Sequence, residues 1–303
     1  MAERSSPHGI GGADDRLLYL GQAYLMRDSR EGSVAVVTGA AGGIGAAVVG
    51  ALEAAGHRVV GVDARPSRTG PSPTSATSPS GASSSSRASS PSSAASAVGA
   101  AGVRALDVTD SAAVEGLMAE VEREAAIEVL VNCAGTLGNR PALATTQEEW
   151  ARIFAVNATG VFTVSTAVAR RMLPRRRGVI VTVASNAGRL PRHGMAAYGA
   201  SKAAAALFTQ SLGLELAEFG IRCNVVSPGT TRTPMVEGML ADADIDEETI
   251  VRGDPGRFKA GIPLGRSAEP DDIASVVAFL ASPAARHVTM QDLVVDGGAA
   301  MTR

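Results

Sequence analysis

A glycine-rich stretch near residue 40 constrains this 303-residue chain more than any other feature. Residues 38–45 read Thr-Gly-Ala-Ala-Gly-Gly-Ile-Gly, between a short apolar run at 34–37 and a helical pattern at 44–55. In such a turn one glycine permits a tight bend, a second lets the backbone approach a pyrophosphate, and a third packs the helix on the strand. The free amides at the start of the helix would face the phosphates. The pattern therefore predicts a dinucleotide site that includes Gly39, Gly43, Ile44 and Gly45.

An acidic residue at the end of the next apolar segment, residues 58–63, refines this prediction. The carboxylate of Asp63 is placed to accept hydrogen bonds from an adenosine ribose diol, and it would repel a 2′-phosphate. The sequence therefore predicts NAD rather than NADP as the cofactor. Arg65 and Arg68 lie close by in the sequence and could bind the 2′-phosphate of NADP, so the choice between the two cofactors stays open.

Apolar segments and helical patterns alternate along the rest of the chain. This alternation predicts an α/β fold, a seven-stranded parallel sheet with helices on both faces, in a single domain. The predicted strands are 34–37, 58–63, 103–108, 129–132, 178–185, 222–227 and 292–296, and the predicted helices are 44–55, 111–125, 147–174, 196–219 and 271–281. Between 235 and 259 no helical periodicity is sustained, and we expect a mobile loop or lid there.

Two segments fall outside this pattern. Residues 1–31 are mostly polar and glycine-rich, and we expect a flexible N-terminal extension. Residues 66–100 contain 14 serines and 5 prolines and almost nothing large and apolar. Such a segment cannot bury enough surface to offset its ordering entropy. We expect one domain over residues 32–303, interrupted by a disordered insertion at 66–100.

Composition excludes several other classes of protein. The net charge of −2 gives no basic surface for nucleic acid, and two cysteines with four scattered histidines suggest neither a disulfide scaffold nor a metal site. No apolar run reaches the roughly 20 residues of a membrane helix, and no secretory signal is visible at the start. We therefore expect a cytoplasmic protein that binds small molecules, with no metal, membrane or nucleic-acid partner.

A second group of residues bears on chemistry. Ser185 lies at the end of a predicted strand, and Tyr198 and Lys202 share one face of a predicted helix because they are four residues apart. A phenol is a poor base at its ordinary pKa near 10. A lysine ammonium and the positive nicotinamide of an oxidised cofactor would both favour the phenolate. The pattern predicts that Tyr198 moves a proton while Ser185 holds the substrate oxygen.

Taken together, these motifs resemble the short-chain dehydrogenase/reductase family over residues 33–300, about nine-tenths of the chain. The resemblance rests on Thr38–Gly45, Asn132-Cys133-Ala134-Gly135, Asn157, Ser185 with Tyr198 and Lys202, and Pro228-Gly229. It implies that the seven-stranded parallel sheet is doubly wound (Rossmann-like) and that the chain assembles as a homotetramer. Cys133 departs from the commoner asparagine at its position. The other three residues of that motif remain, so we expect cofactor binding to be intact.

The resemblance also assigns roles to individual residues. Asn157 would complete a catalytic tetrad by holding a water near Lys202. Tyr198 and Lys202 would contact the cofactor as well. Further cofactor contacts are implied for Asp107, Val108, Asn132, Ala134, Gly135, Pro228, Gly229, Thr231 and Thr233.

Six segments, at 181–185, 191–195, 197–202, 222–229, 258–265 and 291–298, are similar to a narrower group, the 2,3-dihydro-2,3-dihydroxybenzoate dehydrogenases. Pro-Arg-His-Gly-Met and Phe-Lys-Ala-Gly-Ile-Pro-Leu-Gly are the most particular of these. The resemblance implies NAD-dependent oxidation of a cyclohexadiene carboxylate to the catechol acid of catecholate siderophores.

Four residues are candidates for contacting this substrate. Arg192 lies between Ser185 and Tyr198, and its planar guanidinium suits a carboxylate. Met195 and Met235 offer soft apolar contacts to a six-carbon ring. Arg232 is a second possible carboxylate partner, and His193 is interpreted as a loop histidine.

Three alternatives stay open at this point. A related dehydrogenase could aromatise a dihydro-3-hydroxyanthranilate to 3-hydroxyanthranilate, since the two substrates differ by one group on one ring carbon. A ketoreductase acting on a carrier-bound 3-oxoacyl chain would favour NADPH, against which Asp63 argues. A non-catalytic dinucleotide sensor would usually lack part of the tetrad, which is complete here.

Overall fold

The structure, a computed structural model, describes residues 33–65, 102–243 and 246–301. The N-terminal extension expected at 1–31 and the insertion expected at 66–100 lie outside these ranges. Both remain predictions.

Seven parallel strands form one sheet in the order β3-β2-β1-β4-β5-β6-β9. This confirms the predicted doubly wound α/β sheet. β1 lies beside both β2 and β4, so the chain reverses direction across the sheet at β1. In such sheets ligands bind at this reversal, beyond the carboxyl ends of the strands. The strands are β1 (Val34–Thr38), β2 (Arg58–Asp63), β3 (Arg104–Ala105), β4 (Ile127–Asn132), β5 (Gly178–Val183), β6 (Ile221–Pro228) and β9 (Asp292–Val295).

Helices cover both faces of the sheet. Buried side chains of α1 and α8 pack on one face, and those of α2, α4 and α5 pack on the other. The helices are α1 (Gly43–Ala54), α2 (Ser111–Glu124), α3 (Gln147–Phe154), α4 (Gly160–Met172), α5 (Ala196–Leu216), α6 (Pro234–Ala243), α7 (Glu247–Arg252) and α8 (Pro270–Ala281).

The strand sequences are apolar on both sides because both faces of the sheet are covered. In β1, Val34 and Val36 point into one core and Ala35 and Val37 into the other, and all four are fully buried. Aliphatic residues dominate both cores, as the 3% aromatic content requires.

Two elements differ from their predicted lengths. β3 is only two residues long, because it is an edge strand paired with β2 alone and the chain then turns at Asp107. The long helix predicted at 147–174 contains a π-helical segment, Ala155–Thr159, between α3 and α4.

The prediction that residues 235–259 form a loop without helices was wrong. This segment contains α6, α7 and a small antiparallel hairpin of β7 (Gly253–Asp254) and β8 (Lys259–Ala260). The Asp246 side chain caps α7 by accepting a hydrogen bond from the Thr249 amide. These helices are too short to produce a sustained apolar period, which is why the pattern looked irregular.

By length and composition, one helical stretch of the described chain, Gln147–Arg175, is long and apolar enough to cross a membrane. Its most apolar window is 44% buried inside the fold. Residues such as Val164 and Met172 are fully buried against the sheet. Core helices of globular domains pass the same test, so the stretch is weak evidence for a span.

Candidate active site

A cavity of about 250 Å³ opens beyond the carboxyl ends of β1, β4, β5 and β6. It lies at the point where the sheet order reverses. The glycine turn lines one side, and Ser185, Tyr198 and Lys202 line another. The structure therefore brings together the two groups of residues that the sequence singled out.

Backbone geometry explains the glycines of the turn. Gly39 has a φ of +68°, a conformation that other residues rarely adopt. A Cβ on Gly45 would lie 2.1 Å from the Gly39 carbonyl oxygen, so the start of α1 can approach the turn only with glycine there. Gly43 and Ile44 line the cavity beside them.

The start of α1 carries no side-chain cap. Its N-cap is Gly42, whereas the Asp110 side chain caps α2 by accepting hydrogen bonds from Ala112 and Ala113 amides. The first amides of α1 therefore remain available to an anionic ligand at the cavity.

Asp63 lies at the end of β2 against the same turn. Its Oδ2 accepts a hydrogen bond from the Ala41 amide at 3.2 Å, and its Oδ1 accepts one from the Arg65 amide at 2.9 Å. Arg65 is exposed, and Arg68 falls outside the described residues. A carboxylate, not a guanidinium, is thus held next to the glycine turn.

Thr38 organises the opposite side of the turn, and sequence reasoning gave it no role. Its Oγ1 accepts hydrogen bonds from the amides of Cys133 and Ala134, both at 3.1 Å. This ties the segment after β4 to the end of β1. A hydroxyl residue directly before the glycine turn was the available signal.

Lys202 is buried beneath the cavity. Its Nζ donates a hydrogen bond to the Val183 carbonyl at 2.9 Å and lies 6.0 Å from the centre of the Tyr198 ring. Burial lowers the pKa of Lys202 to about 8, and the neighbouring Cys133 opposes this shift. The side chain therefore holds its proton at neutral pH, although more weakly than an exposed lysine.

The Tyr198 phenol meets Ser185 across the cavity. Burial raises the pKa of the phenol, and a hydrogen bond with Ser185 opposes that rise. The Ser185 Oγ also accepts a hydrogen bond from the Ala187 amide at 3.1 Å, which fixes its position. In the ligand-free chain Tyr198 is thus protonated, and the lysine alone does not produce a phenolate.

Asn157 lies in the π-helical segment and is fully buried. Its Nδ2 donates to the Thr136 carbonyl and the Ser201 hydroxyl, and its Oδ1 accepts from the Thr136 amide at 2.8 Å. The Ser201 hydroxyl in turn donates to the Tyr198 carbonyl at 2.7 Å. The amide therefore positions the segment after β4 and the first turn of α5; its predicted water-holding role stays a prediction.

Two residues predicted to bind the cofactor have side chains that are buried and contact other parts of the fold. Asn132 is buried and donates to the hydroxyls of Ser165 and Thr182, so its side chain does not line the cavity. Val108 packs into the core against Gly160. The predicted cofactor contacts of these two residues stay predictions, and their side chains serve the fold.

Two other predicted contacts lie beside the cavity rather than on its wall. The Asp107 carboxylate is exposed and bonded to the amide and hydroxyl of Thr109, which lowers its pKa. Ala134 packs against the core below. The remaining predicted residues line the cavity, namely Gly135, Pro228, Gly229, Thr231 and Thr233.

The Cys133 thiol also lines this cavity, where burial raises its pKa to about 12. It is therefore protonated and unsuited to act as a nucleophile. Among the described residues, no group of three or more histidine, cysteine or acidic side chains is arranged to hold a metal ion.

Four of the five predicted substrate residues divide between two cavities. Ser185 and Met235 line the one described above, whereas Arg192 and Met195 line a second cavity of about 470 Å³. The same segments supply both, since residues 135–141, the stretch from β5 to α5, and α6 contribute to each. Arg232 is committed elsewhere, in ion pairs with Glu247 and Glu269.

The first cavity fits a nicotinamide dinucleotide. The uncapped start of α1 suits the phosphates, and a Cβ on Gly43 would meet the Thr233 side chain at 2.7 Å across a narrow cradle. Asp63 stands at one end of this cradle, and Lys202 with Tyr198 at the other. A hydroxyl-bearing substrate held at Ser185 and Tyr198 would lie where a dehydrogenase needs it.

A family model described as "Enoyl-(Acyl carrier protein) reductase" matches residues 80–300. The 2,3-dihydro-2,3-dihydroxybenzoate dehydrogenase of Bacillus subtilis is 45% identical over 274 residues, 89% of this chain and 97% of that protein. The enzyme of the same name from Escherichia coli is 46% identical over 65% of this chain and 79% of its own length. The solved structure of gox2181 has a TM-score of 0.71 at 29% identity and covers 92% of this chain and 99% of its own.

The chain therefore belongs to the short-chain dehydrogenase/reductase family. Membership implies a nicotinamide cofactor and a small-molecule substrate.

Proposed function

We propose that this chain oxidises trans-2,3-dihydro-2,3-dihydroxybenzoate to 2,3-dihydroxybenzoate with NAD⁺, as a step toward catecholate siderophores. One observation carries the proposal: the segments that line the cavity of Ser185, Tyr198 and Lys202 also line a second cavity, which carries the cationic side chains of Arg192 and Lys259. A ring alcohol that also bears a carboxylate suits both. The printed names of two relatives at 45% and 46% identity support this substrate.

In this mechanism Tyr198 accepts the proton of the C3 hydroxyl. Ser185, which is hydrogen-bonded to the phenol, holds the same substrate oxygen as the carbonyl forms. A nicotinamide held beside Tyr198 and Lys202 would supply the acceptor for the hydride that leaves C3. The ketone then tautomerises to the aromatic catechol acid, which makes the step difficult to reverse. The residues contribute mainly orientation and charge placement.

Lys202 supports Tyr198 electrostatically. Since its pKa is about 8, most of it carries a positive charge at pH 7, and the ammonium lies 6.0 Å from the phenol ring. One of its three N–H donors is held by the Val183 carbonyl, which fixes the side chain and leaves donors for ribose hydroxyls. Asn157 and Ser201 act as positioning residues for Tyr198.

We propose NAD rather than NADP as the cofactor. The Asp63 carboxylate, hydrogen-bonded to the Ala41 amide, stands where a 2′-phosphate would suffer repulsion. Arg65 is exposed, and only its backbone amide contacts Asp63.

A homotetramer and a cytoplasmic location complete the proposal. Phe162 of α4 and Leu207 and Leu214 of α5 are 51%, 66% and 70% exposed, which supports packing of these helices against another subunit. Both cysteines of the chain, Cys133 and Cys223, are free, which fits a reducing compartment.

The test measures NADH absorbance with the purified chain, NAD⁺ or NADP⁺, and three substrates. These are the dihydroxy acid, its dihydro-3-hydroxyanthranilate analogue, and a 3-hydroxyacyl thioester. We expect turnover of the dihydroxy acid with NAD⁺ to exceed every other combination by at least about tenfold, because the other pairs lose a charge or a hydroxyl contact.

Faster turnover of the amino analogue would keep the mechanism and overturn the substrate. Faster turnover of the thioester with NADP⁺ would overturn both substrate and cofactor.

A further inference from the structure

The second cavity, of about 470 Å³, has a wall that the proposed mechanism leaves unused. Apolar side chains such as Met195, Ile250 and Phe258 line it together with the cations Arg192 and Lys259. Its size and apolar lining suit a six-carbon ring. The two cations require a separate explanation.

Lys259 is held in place by a tightly built hairpin. Its backbone lies opposite that of Asp254 in the antiparallel pairing of β7 and β8. A Cβ on Gly253 would lie 2.5 Å from the Gly261 nitrogen, and one on Gly261 would lie 2.3 Å from the Val251 carbonyl oxygen. Because only glycine fits at these two positions, the backbone that carries Lys259 has little freedom.

Neither cation has an anionic partner within ion-pair distance in the described part of the chain. Asp254 is 3.5 Å from the Arg257 guanidinium, and it forms no pair within 4 Å with Lys259. The Asp296 carboxylate accepts hydrogen bonds from Asn186 and from the Gly298 and Ala300 amides. Asp254 and Arg257 also line the cavity and pair with each other, so Arg192 and Lys259 are the described cations of this wall that lack an ion pair.

The electrostatics of this wall agree with that geometry. Burial lowers the pKa of Arg192, which Asp296 partly offsets. Burial also lowers the pKa of Lys259 and the positive charge of Arg192 lowers it further, whereas the Asp254 carboxylate opposes both effects. Two like charges in a partly dehydrated cavity repel each other, and a bound anion would relieve that repulsion.

We propose that Arg192 and Lys259 together form the carboxylate-binding end of the substrate site, and that Lys259 determines specificity for ring carboxylates. The identity of the ring substrate rests on the proposed function. The preference for a carboxylate does not, since it follows from the cavity and its two unpaired cations. A thioester on a carrier protein has no carboxylate and gains nothing from this pair.

The experiment compares binding of 2,3-dihydroxybenzoate and the neutral 2,3-dihydroxybenzamide to the full chain by calorimetry, with saturating NAD⁺. We expect the carboxylate to bind at least about tenfold more tightly than the amide. Lys259→Gln and Arg192→Gln should each lower carboxylate affinity by about tenfold or more and leave amide affinity nearly unchanged. Lys259→Arg keeps the charge and should restore most of the preference.

Arg252→Gln is the matched control, because Arg252 is exposed, pairs with Glu248 and lies outside both cavities. It removes the same charge and should change neither affinity. Equal binding of acid and amide by the unaltered chain, or an unchanged preference in Lys259→Gln, would overturn the proposal.

Turnover separates this proposal from the proposed function. A carboxylate preference without oxidation of the dihydro acid would support the cation pair and contradict the reaction. Oxidation of the dihydro acid without a carboxylate preference would contradict the cation pair alone.

Discussion

Tyr198 and Lys202 illustrate at the residue scale how burial sets the conditions for the proposed chemistry. Burial raises the pKa of the phenol, which keeps it protonated, and lowers the pKa of the ammonium to about 8, which leaves most of it charged at pH 7. A positive charge placed in the cavity would reverse the first effect, because it favours the phenolate. In the ligand-free protein Tyr198 is therefore protonated, and we expect it to act as a base only when the cofactor is bound.

Ultraviolet titration of tyrosinate tests this statement directly. The chain has three tyrosines, so the difference between the unaltered protein and Tyr198→Phe isolates Tyr198. Without cofactor, the folded pKa is raised, and we expect ionisation only above the ordinary value near 10. With NAD⁺ bound, we expect the midpoint to fall by at least about one unit. A midpoint that does not move on adding NAD⁺ would contradict this account.

Sequence reasoning recovered the residues whose spacing is local. Tyr198 and Lys202 lie one helical turn apart, and the structure places both at the cavity. It could not find Lys259, because the relation of that residue to Arg192 depends on a hairpin 67 positions along the chain. It also did not show that the Asn132 side chain bonds to Ser165 within the fold, since a motif letter does not reveal which way a side chain turns at the end of a strand.

The start of α1 is the decisive element of the cofactor site. Its N-cap is a glycine, so no side chain competes for the first amides of the helix. Other helices satisfy these amides with Asp110 or Asp246. A side-chain cap would stabilise this helix, but it would occupy the amides that a phosphate needs. The uncapped end at the reversal of the sheet therefore leaves these amides for a phosphate ligand.

Gly45→Ala should damage this element. The new Cβ would lie 2.1 Å from the Gly39 carbonyl oxygen, so the helix must move away from the turn. We expect NAD⁺ affinity to fall by at least about tenfold, because the amides lose their alignment with the phosphates. Calorimetric titration with NAD⁺ measures this loss.

Gly50→Ala is the control within the same helix. A Cβ at Gly50 meets nothing within 4 Å, and alanine is the better helix former. We expect unchanged NAD⁺ affinity and a gain in stability of about 0.5–1 kcal/mol. Equal NAD⁺ affinity in the two variants would be incompatible with the assigned role of the turn.

The bounds of strands and helices were predicted best where a regular apolar pattern covers the whole element. The strand 58–63 is observed with its predicted bounds, and α2 and α8 differ from theirs by one residue. The segment 235–259 was misread because α6 and α7 have 10 and 6 residues, too few to repeat an apolar stripe. Tertiary contacts, rather than local pattern, fix such short elements.

At the scale of the whole molecule, the order of the sheet determines where the chemistry takes place. The reversal at β1 brings the carboxyl ends of β1, β4, β5 and β6 around one cavity. Alternation of apolar segments along the sequence predicted a parallel sheet covered on both faces, because parallel strands need crossover helices. The reversal of the strand order was implied only by the family resemblance. The oligomeric state is harder to predict from the sequence, because only the folded structure shows which apolar side chains are exposed.

The predicted tetramer can be tested on α5. Leu214 is 70% exposed, and Leu214→Glu would place a charge in the proposed subunit contact. We expect sedimentation to show a smaller assembly than that of the unaltered chain. Leu143→Glu is the control, because Leu143 lies in the short 3₁₀ helix Ala142–Ala144, outside α5, and is fully exposed. Identical sedimentation of all three proteins at a monomeric mass would exclude the tetramer.

The central claim is that the cavity at Tyr198 oxidises a ring alcohol to an aromatic acid. The most direct measurement is chromatographic quantification of 2,3-dihydroxybenzoate against NADH formed from the trans-dihydro acid. The account predicts one product molecule per NADH in the unaltered chain and a rate lower by about 10²–10⁴-fold in Tyr198→Phe, with NAD⁺ affinity retained. Undiminished product formation by Tyr198→Phe, or NADH formed without the catechol acid, would contradict it.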